Sequence, residues 1–301
     1  MVLIFFERFY FFIEHELMSS HQHILRIVDI FRVLMVYPRF ASVYKCMDTL
    51  SQPSAEIVTF SFDDGLEQDR KLIELLNCYG LSATFNLNAG MFGQRDYVGR
   101  IGSTGFTEYT EPGDHGLIKT AEHFRLPKEE IAGTYAGFEI ASHTYTHTPM
   151  PKLKSEQFAD EIDQDVRELS QIAGYPVRGF AYPGGVATRA SAAYLGTKGL
   201  LYARTAFANG KYNFPADPMR YAPTAAIKDK KAEKLLAAFL DEEPKEDLLF
   251  CLWGHGYEAD FGTTNASYEV FERIFAKAAG HSDVVYCTLA QAFEDHNARI
   301  Q

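Results

Sequence analysis

Along most of the chain, short apolar runs with strand character alternate with segments whose apolar residues recur at helical spacing. Seven runs read as strands: 56–62, 83–87, 138–141, 177–182, 200–204, 248–253 and 284–287. Between them, residues 67–79 place Leu72, Ile73, Leu75, Leu76 and Tyr79 on a helical period, and Gly80 stands just past the end, where a helix stop is expected. Ser155 is placed to cap a helix whose Phe158, Ile162, Val166 and Leu169 share one face, with Gly174 closing it. Helical patterns recur near 189–198, 230–241 and 267–279. This alternation predicts an α/β fold of mainly parallel strands joined by crossover helices. No internal repeat is present. Neither a Walker-spaced loop nor a G-x-G-x-x-G follows the first strand, which argues against nucleotide binding.

Two stretches break the alternation. Residues 90–123 are polar and glycine-rich, too long for an ordinary connection, and read as an insertion with a functional or lid role. Residues 1–55 form a separate front piece. Its first 13 residues are very apolar, yet too short for a membrane span and without a basic stretch before or a cleavage pattern after. Residues 24–44 carry Arg26, Asp29, Arg32 and Arg39, so the spacing suits an amphipathic helix rather than a span. Residues 48–55 are polar, contain Pro53 and read as a linker. A docking helix, a membrane-surface helix and upstream sequence outside the mature protein all fit this piece. The internal Met18, Met35 and Met47 favour the last. The expected organisation is therefore an appendage and linker at 1–55 and one domain at 56–301, with no stable membrane span.

Composition narrows the partners. The 301 residues are 47% apolar and 23% charged, which excludes a disordered or collagen-like chain. Forty acids against 29 bases give a net charge of −11. That disfavours nucleic acid, whose affinity rests on Lys and Arg at the phosphates. The four cysteines, Cys46, Cys78, Cys251 and Cys287, are scattered without a C-x-x-C pair. They fit free thiols in a reducing, cytoplasmic compartment. Nothing in the pattern assigns an oligomeric state.

The candidate chemistry sits at strand ends, where α/β barrels place theirs. The first strand ends in Asp63-Asp64-Gly65. Adjacent carboxylates repel if both stay ionised, and a bound cation relieves this. The third strand ends in Ser142-His143-Thr144-Tyr145-Thr146-His147, with its two histidines four apart. On a helical turn or tight loop, both imidazoles face one point. A carboxylate and two imidazoles suit Zn²⁺ with open positions for water and substrate. The second carboxylate is then free to take a proton from bound water.

With these motifs in place, the chain resembles the polysaccharide deacetylases, the NodB-homology enzymes of carbohydrate esterase family four. Thr59 to Gly65 looks like their first motif and Ser142 to His147 their second, and the resemblance runs from about residue 56 to 295. It implies a distorted (β/α) barrel of about seven parallel strands. It also implies Asp63 as catalytic base, Asp64, His143 and His147 as ligands of a divalent metal, usually zinc, and removal of an N-acetyl group as the reaction. The third motif departs from the family. Aligning Phe180 and Gly185 puts Ala181 where an arginine is usual and Gly184 where a tyrosine is usual. Gly184 keeps a backbone N–H for an oxyanion. The missing base-orienting arginine is then sought among Arg178, Arg204 and Arg220, and Arg220 is the expected substitute because 217–221 falls where the fourth motif belongs. The last motif, 252–258, implies His255 as general acid. Trp253, Tyr257, Tyr145 and Tyr182 are candidate substrate-wall residues. His115, His123, His281 and His296 have no motif and read as surface histidines. The implied function is metal-dependent hydrolysis of a non-peptide carbon–nitrogen bond in an N-acetylated amino sugar or polysaccharide. A non-sugar amide or ureide substrate, an inactive carbohydrate-binding protein and a two-histidine-one-carboxylate iron oxygenase are the alternatives.

Overall fold

A computed structural model describes residues 54–101, 105–109 and 119–300. The expectations for 1–53, including Cys46, and for His115 lie outside the described residues. The first strand, β1 (Glu56–Asp63), is buried along its whole length, and its two faces meet different surroundings. Successive side chains of a strand point to opposite faces. Val58, Phe60 and Phe62 join a cluster with Leu72, Leu76, Phe271 and Phe275 of the surrounding helices. Ile57, Thr59, Ser61 and Asp63 take the other side, so the run is apolar at every second position and increasingly polar at the rest.

The remaining parallel strands are β2 (Ala83–Leu87), β6 (Glu139–Ser142), β7 (Gly179–Ala181), β8 (Tyr202–Arg204), β9 (Ala225–Ala226), β10 (Leu248–His255) and β11 (Val284–Tyr286). Their order is β8-β7-β6-β2-β1-β10-β9, with β11 beside the first half of β1. The two edges meet through one segment: Tyr221 bridges Arg204 in parallel, and Ala225 pairs with Leu252. This is the distorted (β/α) barrel. All seven expected strands are present, and the two-residue β9 is too short to carry a sequence pattern.

Facing residues fill the interior in layers, as in α/β barrels. At the bottom, Ile57, Leu249, Val285, Leu289 and Phe293 pack together. Above them Glu139 accepts hydrogen bonds from Thr84 Oγ1 at 2.7 Å and Tyr202 Oη at 3.0 Å. Next come Ser61, Asn86, Arg204 and Trp253. Asp63 and His255, paired in register across β1 and β10, stand at the mouth.

The helices are α1 (Asp69–Cys78), α2 (Lys128–Thr134), α3 (Gln164–Ala173), α4 (Arg189–Gly196), α5 (Ala232–Leu240), α6 (Tyr268–Ala278) and α7 (Leu289–Ile300). The expected helix from Ser155 is broken into three: a 3₁₀ turn (Ser155–Gln157), a π turn (Ala159–Asp163) and α3, which ends at left-handed Gly174 as predicted. Single π turns often mark functional sites, and this one proves to anchor a site loop. The insertion is not a bare loop. It builds an antiparallel sheet from β3 (Arg95–Ile101), β4 (Gly105–Tyr109) and β5 (Lys119–Phe124), ordered β4-β3-β5. A small core of Leu66, Val98, Ala121, Tyr257 and Phe261 joins it to the barrel. Among the described residues Cys78, Cys251 and Cys287 are free thiols, and no helix is long and apolar enough to cross a membrane.

Candidate metal and catalytic centre

The turn after β1 is under backbone tension. Asp64 has a φ of 81°, and Gly65 follows at 70°. A Cβ on Gly65 would meet Leu87 Cδ2 at 2.8 Å, and with its positive φ the position favours glycine. A non-glycine residue held at positive φ costs about 1–3 kcal/mol and persists only where its surroundings over-determine it. Here Asp64 N–H donates to Asn86 O at 2.9 Å, and Leu126 N–H donates to Gly65 O at 2.9 Å.

The second motif is a tight loop rather than a helical turn. Thr144 and His147 also have positive φ, 64° and 58°. Asp165 of α3 accepts Ser142 Oγ at 2.6 Å, His143 N–H at 3.2 Å and Ala89 N–H at 2.7 Å. Asn88 Nδ2 donates to Thr144 O at 2.8 Å. Glu161 in the π turn accepts Thr146 N–H on its carboxylate at 2.9 Å and Tyr145 N–H on its carbonyl at 2.8 Å. The irregular helix thus lends both side chain and backbone to the loop that carries His147.

These two turns bring Asp64, His143 and His147 together, with one ligand atom from each lying within 4.8 Å of the others. The atoms fit a divalent ion. Asp64 Oδ1 is buried without a hydrogen-bond partner. It faces His147 Nε2 at 3.4 Å and His143 Nε2 at 3.9 Å. His143 Nδ1 sits 2.8 Å from Ala181 O, which fixes the ring and leaves Nε2 for the site. Burial above all, against the pull of Asp63, pushes the His143 imidazole down to about 4, so it is neutral and able to ligate. Burial opposes the Asp64 charge, but His147, His123 and Arg125 outweigh it and hold the carboxyl well below the usual range.

Asp63 meets a different environment. Arg204 donates to Oδ1 through its terminal guanidinium nitrogen, and Asn86 Nδ2 donates to the same oxygen at 2.8 Å. Oδ2 is left 3.9 Å from His143 Nε2. Burial opposes ionisation, and the charges of Arg204, His143 and His255 overcome it, so the carboxyl lies below its ordinary value. The arginine beside Asp63 is therefore Arg204, not the expected Arg220. Arg220 is half-exposed and pairs with Asp217 at 3.4 Å, and no hydrogen bond or ion pair joins it to Asp63 among the described residues. Arg178 pairs with Glu294 on the surface. Arg204 is buried on the inward face of β8, and it also donates to Ser61 Oγ at 3.0 Å and Thr205 O at 3.1 Å.

His255 stands opposite Asp63, with Nε2 3.8 Å from Asp64 Oδ2. Its Nδ1 is 3.1 Å from Glu258 Oε1, and Lys228 Nζ donates to that oxygen at 2.6 Å. Burial lowers the His255 value, but the Glu258 hydrogen bond and charge reverse this and raise it overall. Trp253 is half-buried, its ring 5.7 Å from that of His255 and beneath the Arg204 guanidinium at 5.0 Å. Gly184 lies exposed in the turn after β7 at a φ of 64°. Tyr145 remains partly exposed.

Three other sequence expectations fail. Tyr182 is no wall or oxyanion residue: it is 2% exposed, its Oη donates to Met219 O at 2.8 Å and its N–H donates to Arg204 O. Tyr257 is buried against the inserted sheet, stacked at 4.8 Å on His255. His123 is not on the surface. It is 1% exposed and its Nε2 lies 2.8 Å from Asp64 Oδ2. His296 and His281 are both half-buried, His296 Nδ1 2.9 Å from Asp247 and His281 Nε2 3.0 Å from Lys277 O. Arg125, which follows β5, is buried with its guanidinium 3.8 Å from Asp64 Oδ1. The insertion hid both residues, because strand-like alternation there is carried by small and polar side chains.

Beneath the site, burial raises Asp69 to about 7, only partly offset by hydrogen bonds from Tyr135 Oη at 2.7 Å and Leu66 N–H at 2.9 Å. The folded chain then keeps a proton that the unfolded chain loses above about pH 4. Stability from this residue is complete below that point and falls by about 1.4 kcal/mol per pH unit until pH passes about 7. Asp69→Asn is expected to remove that part of the slope in urea titrations. An unchanged slope would show that Asp69 is ionised throughout.

Comparison with known proteins agrees with this architecture. A candidate polysaccharide deacetylase from Mycobacterium smegmatis is similar at a TM-score of 0.50 and 14% identity, over 83% of this chain and 93% of that one. A family 4 acetyl xylan esterase from Clostridium thermocellum, solved with a cobalt ion, is similar at 0.46 and 14%, over 79% and 91%. A family 4 carbohydrate esterase from Streptomyces lividans, solved with acetate, reaches 0.44 and 14%, over 74% and 85%. At such identity the first likeness speaks for the fold alone. No curated protein matches the sequence. The sequence profile for polysaccharide deacetylase, however, matches residues 51–203, more than half of the chain and the part that holds Asp63, Asp64, His143, His147 and Gly184. By that match the chain belongs to the polysaccharide deacetylase family.

Proposed function

We propose that the protein is a metal-dependent hydrolase that removes the acetyl group from the nitrogen of an amino sugar. The observation that carries this reading is the division of labour around one point. Asp64, His143 and His147 converge there with an unpartnered carboxylate oxygen, while Asp63 and His255 stand side by side in register on paired strands, Asp63 Oδ2 3.9 Å from His143 Nε2 and His255 Nε2 3.8 Å from Asp64 Oδ2. A divalent ion held by those three residues, whose carboxylate and two imidazoles suit zinc, would polarise the amide carbonyl and acidify water.

The chain's own groups do the rest. Asp63, with Oδ1 occupied by Arg204 and Asn86, offers Oδ2 to take the proton of the attacking water. The Gly184 N–H donates to the carbonyl oxygen as it gains charge. His255, raised and oriented by Glu258, gives its Nε2 proton to the departing amine, so water and amide become acetate and free amine. Trp253 supplies a partly exposed ring beside the acid for a sugar face.

The test is acetate release from N-acetylated chitooligosaccharides by protein stripped of metal and reloaded with zinc. Acetate is expected only in the reloaded sample, with stripping costing about 10²-fold or more in rate. Ammonia from ureides in place of acetate would move the substrate to non-sugar amides. No product and no metal uptake would leave a carbohydrate-binding protein.

A further inference from the structure

We propose that His123, delivered by the inserted sheet, is a positioning residue for the metal-binding carboxylate of Asp64. The inference rests on the metal reading above and assigns the insertion a part in it. The two oxygens of Asp64 have separate surroundings. Oδ1 has no hydrogen-bond partner and faces both site histidines, whereas Oδ2 is 2.8 Å from His123 Nε2. A carboxylate with one oxygen fixed by a donor presents the other in a single orientation, and metal ligands depend on such partners.

His123 is built to hold that place. It is 1% exposed, it pairs with Asp96 on β3, and its ring meets the Tyr257 ring edge-on at 5.3 Å and 84°. The end of its strand is bonded to the very turn that carries Asp64: Glu67 N–H donates to Phe124 O at 2.9 Å, Leu66 bridges Arg125, and Leu126 N–H donates to Gly65 O. Nδ1 is buried without a partner. A proton on Nε2 therefore satisfies the carboxylate and leaves only a lone pair unmatched. His123 also stands outside the group of three whose ligand atoms converge, so it supports the metal site without joining it. Arg125 adds a positive charge on the Oδ1 side, 3.8 Å away and buried. Metal retention in this chain is thus coupled to the inserted sheet, not to the barrel motifs alone.

The experiment uses the full chain, stripped and titrated with zinc against a chromophoric chelator, and loaded with cobalt(II) for its visible spectrum. His123→Leu keeps bulk without a donor, and His123→Gln restores a donor near the Nε2 position. The Leu variant is expected to bind zinc about 10–100-fold more weakly and to change the cobalt spectrum, and the Gln variant to recover to within about threefold of wild type. A Leu variant with wild-type affinity and spectrum overturns the proposal, as does a Gln variant no better than Leu. If the Leu variant does not fold, His123→Asn replaces it: its shorter amide is expected to bind zinc more weakly than Gln, and equal affinities overturn the proposal. A wild-type chain that takes up no ion overturns the metal reading itself, which is a different result from wild-type uptake left unchanged by the variants.

Discussion

Arg204→Met is expected to lower kcat by about 10²-fold or more and to destabilise the fold by about 3–5 kcal/mol, since breaking a buried pair leaves its partner carboxyl without its counter-charge. The partner is Asp63, 3% exposed, which would keep only the Asn86 donor on Oδ1. Thr205 O would also lose its Arg204 donor, Ser61 Oγ would keep only that from Asn86, and the Trp253 ring would lose its guanidinium. Without Arg204 the balance at Asp63 shifts toward burial, which favours the protonated form, and a protonated acid accepts no proton from water. Arg204→Lys retains the charge but not the planar fork, and falls between wild type and Met. Arg220→Ala, altering only a half-exposed pair with Asp217, is expected to stay within about 0.5 kcal/mol and near wild-type turnover. Urea midpoints and steady-state rates on all three decide the matter. Full turnover in Arg204→Met, or its loss in Arg220→Ala, would return the role to Arg220.

The contrast between these arginines shows what the chain makes legible. The barrel strands were readable because each buried strand is a short apolar run, and β1 announced both its faces: Phe60 and Phe62 for the helices, Ser61 and Asp63 for the interior. The Asp63-Asp64 and His143-His147 pairs stand out in the sequence because each lies close together at a strand end. Arg204 obeys the same logic. It ends the apolar run 200–204 and points inward two residues after Tyr202, so a charged residue closing a buried strand was the available signal. Motif position pointed instead to Arg220, which the turn at Pro218–Arg220 holds on the surface. Tyr182 misled in the opposite way. An aromatic at a strand end looks like a sugar platform, but whether its hydroxyl meets solvent or Met219 O depends on a segment 37 residues later. His123 was hidden for a longer-range reason: its partner is 59 residues away, and its strand has no apolar period of its own because β5 buries little beyond Ala121 and His123.

Two neighbouring acids give the sharpest division. Asp63→Asn and Asp64→Asn each delete one negative charge at almost constant shape, one residue apart, and opposite phenotypes are expected. Asp63→Asn should keep zinc uptake near the wild-type level, because neither Asp63 oxygen belongs to the converging group of Asp64, His143 and His147. Its turnover should fall by about 10²–10⁴-fold, the range a positioned general base contributes. Asp64→Asn should lose zinc by more than the roughly 10–100-fold that removing a supporting partner costs, since it removes a ligand. It should also destabilise the metal-free fold, because His123, Arg125 and His147 lose the charge they surround. Paired titrations and rates separate the two roles. Equal zinc affinities in both variants would mean that the ion is not held through Asp64, and a metal-loaded Asp63→Asn with full turnover would move the proton acceptor elsewhere, leaving His255 and its Glu258 partner as the remaining buried proton-transfer pair at the mouth of the barrel.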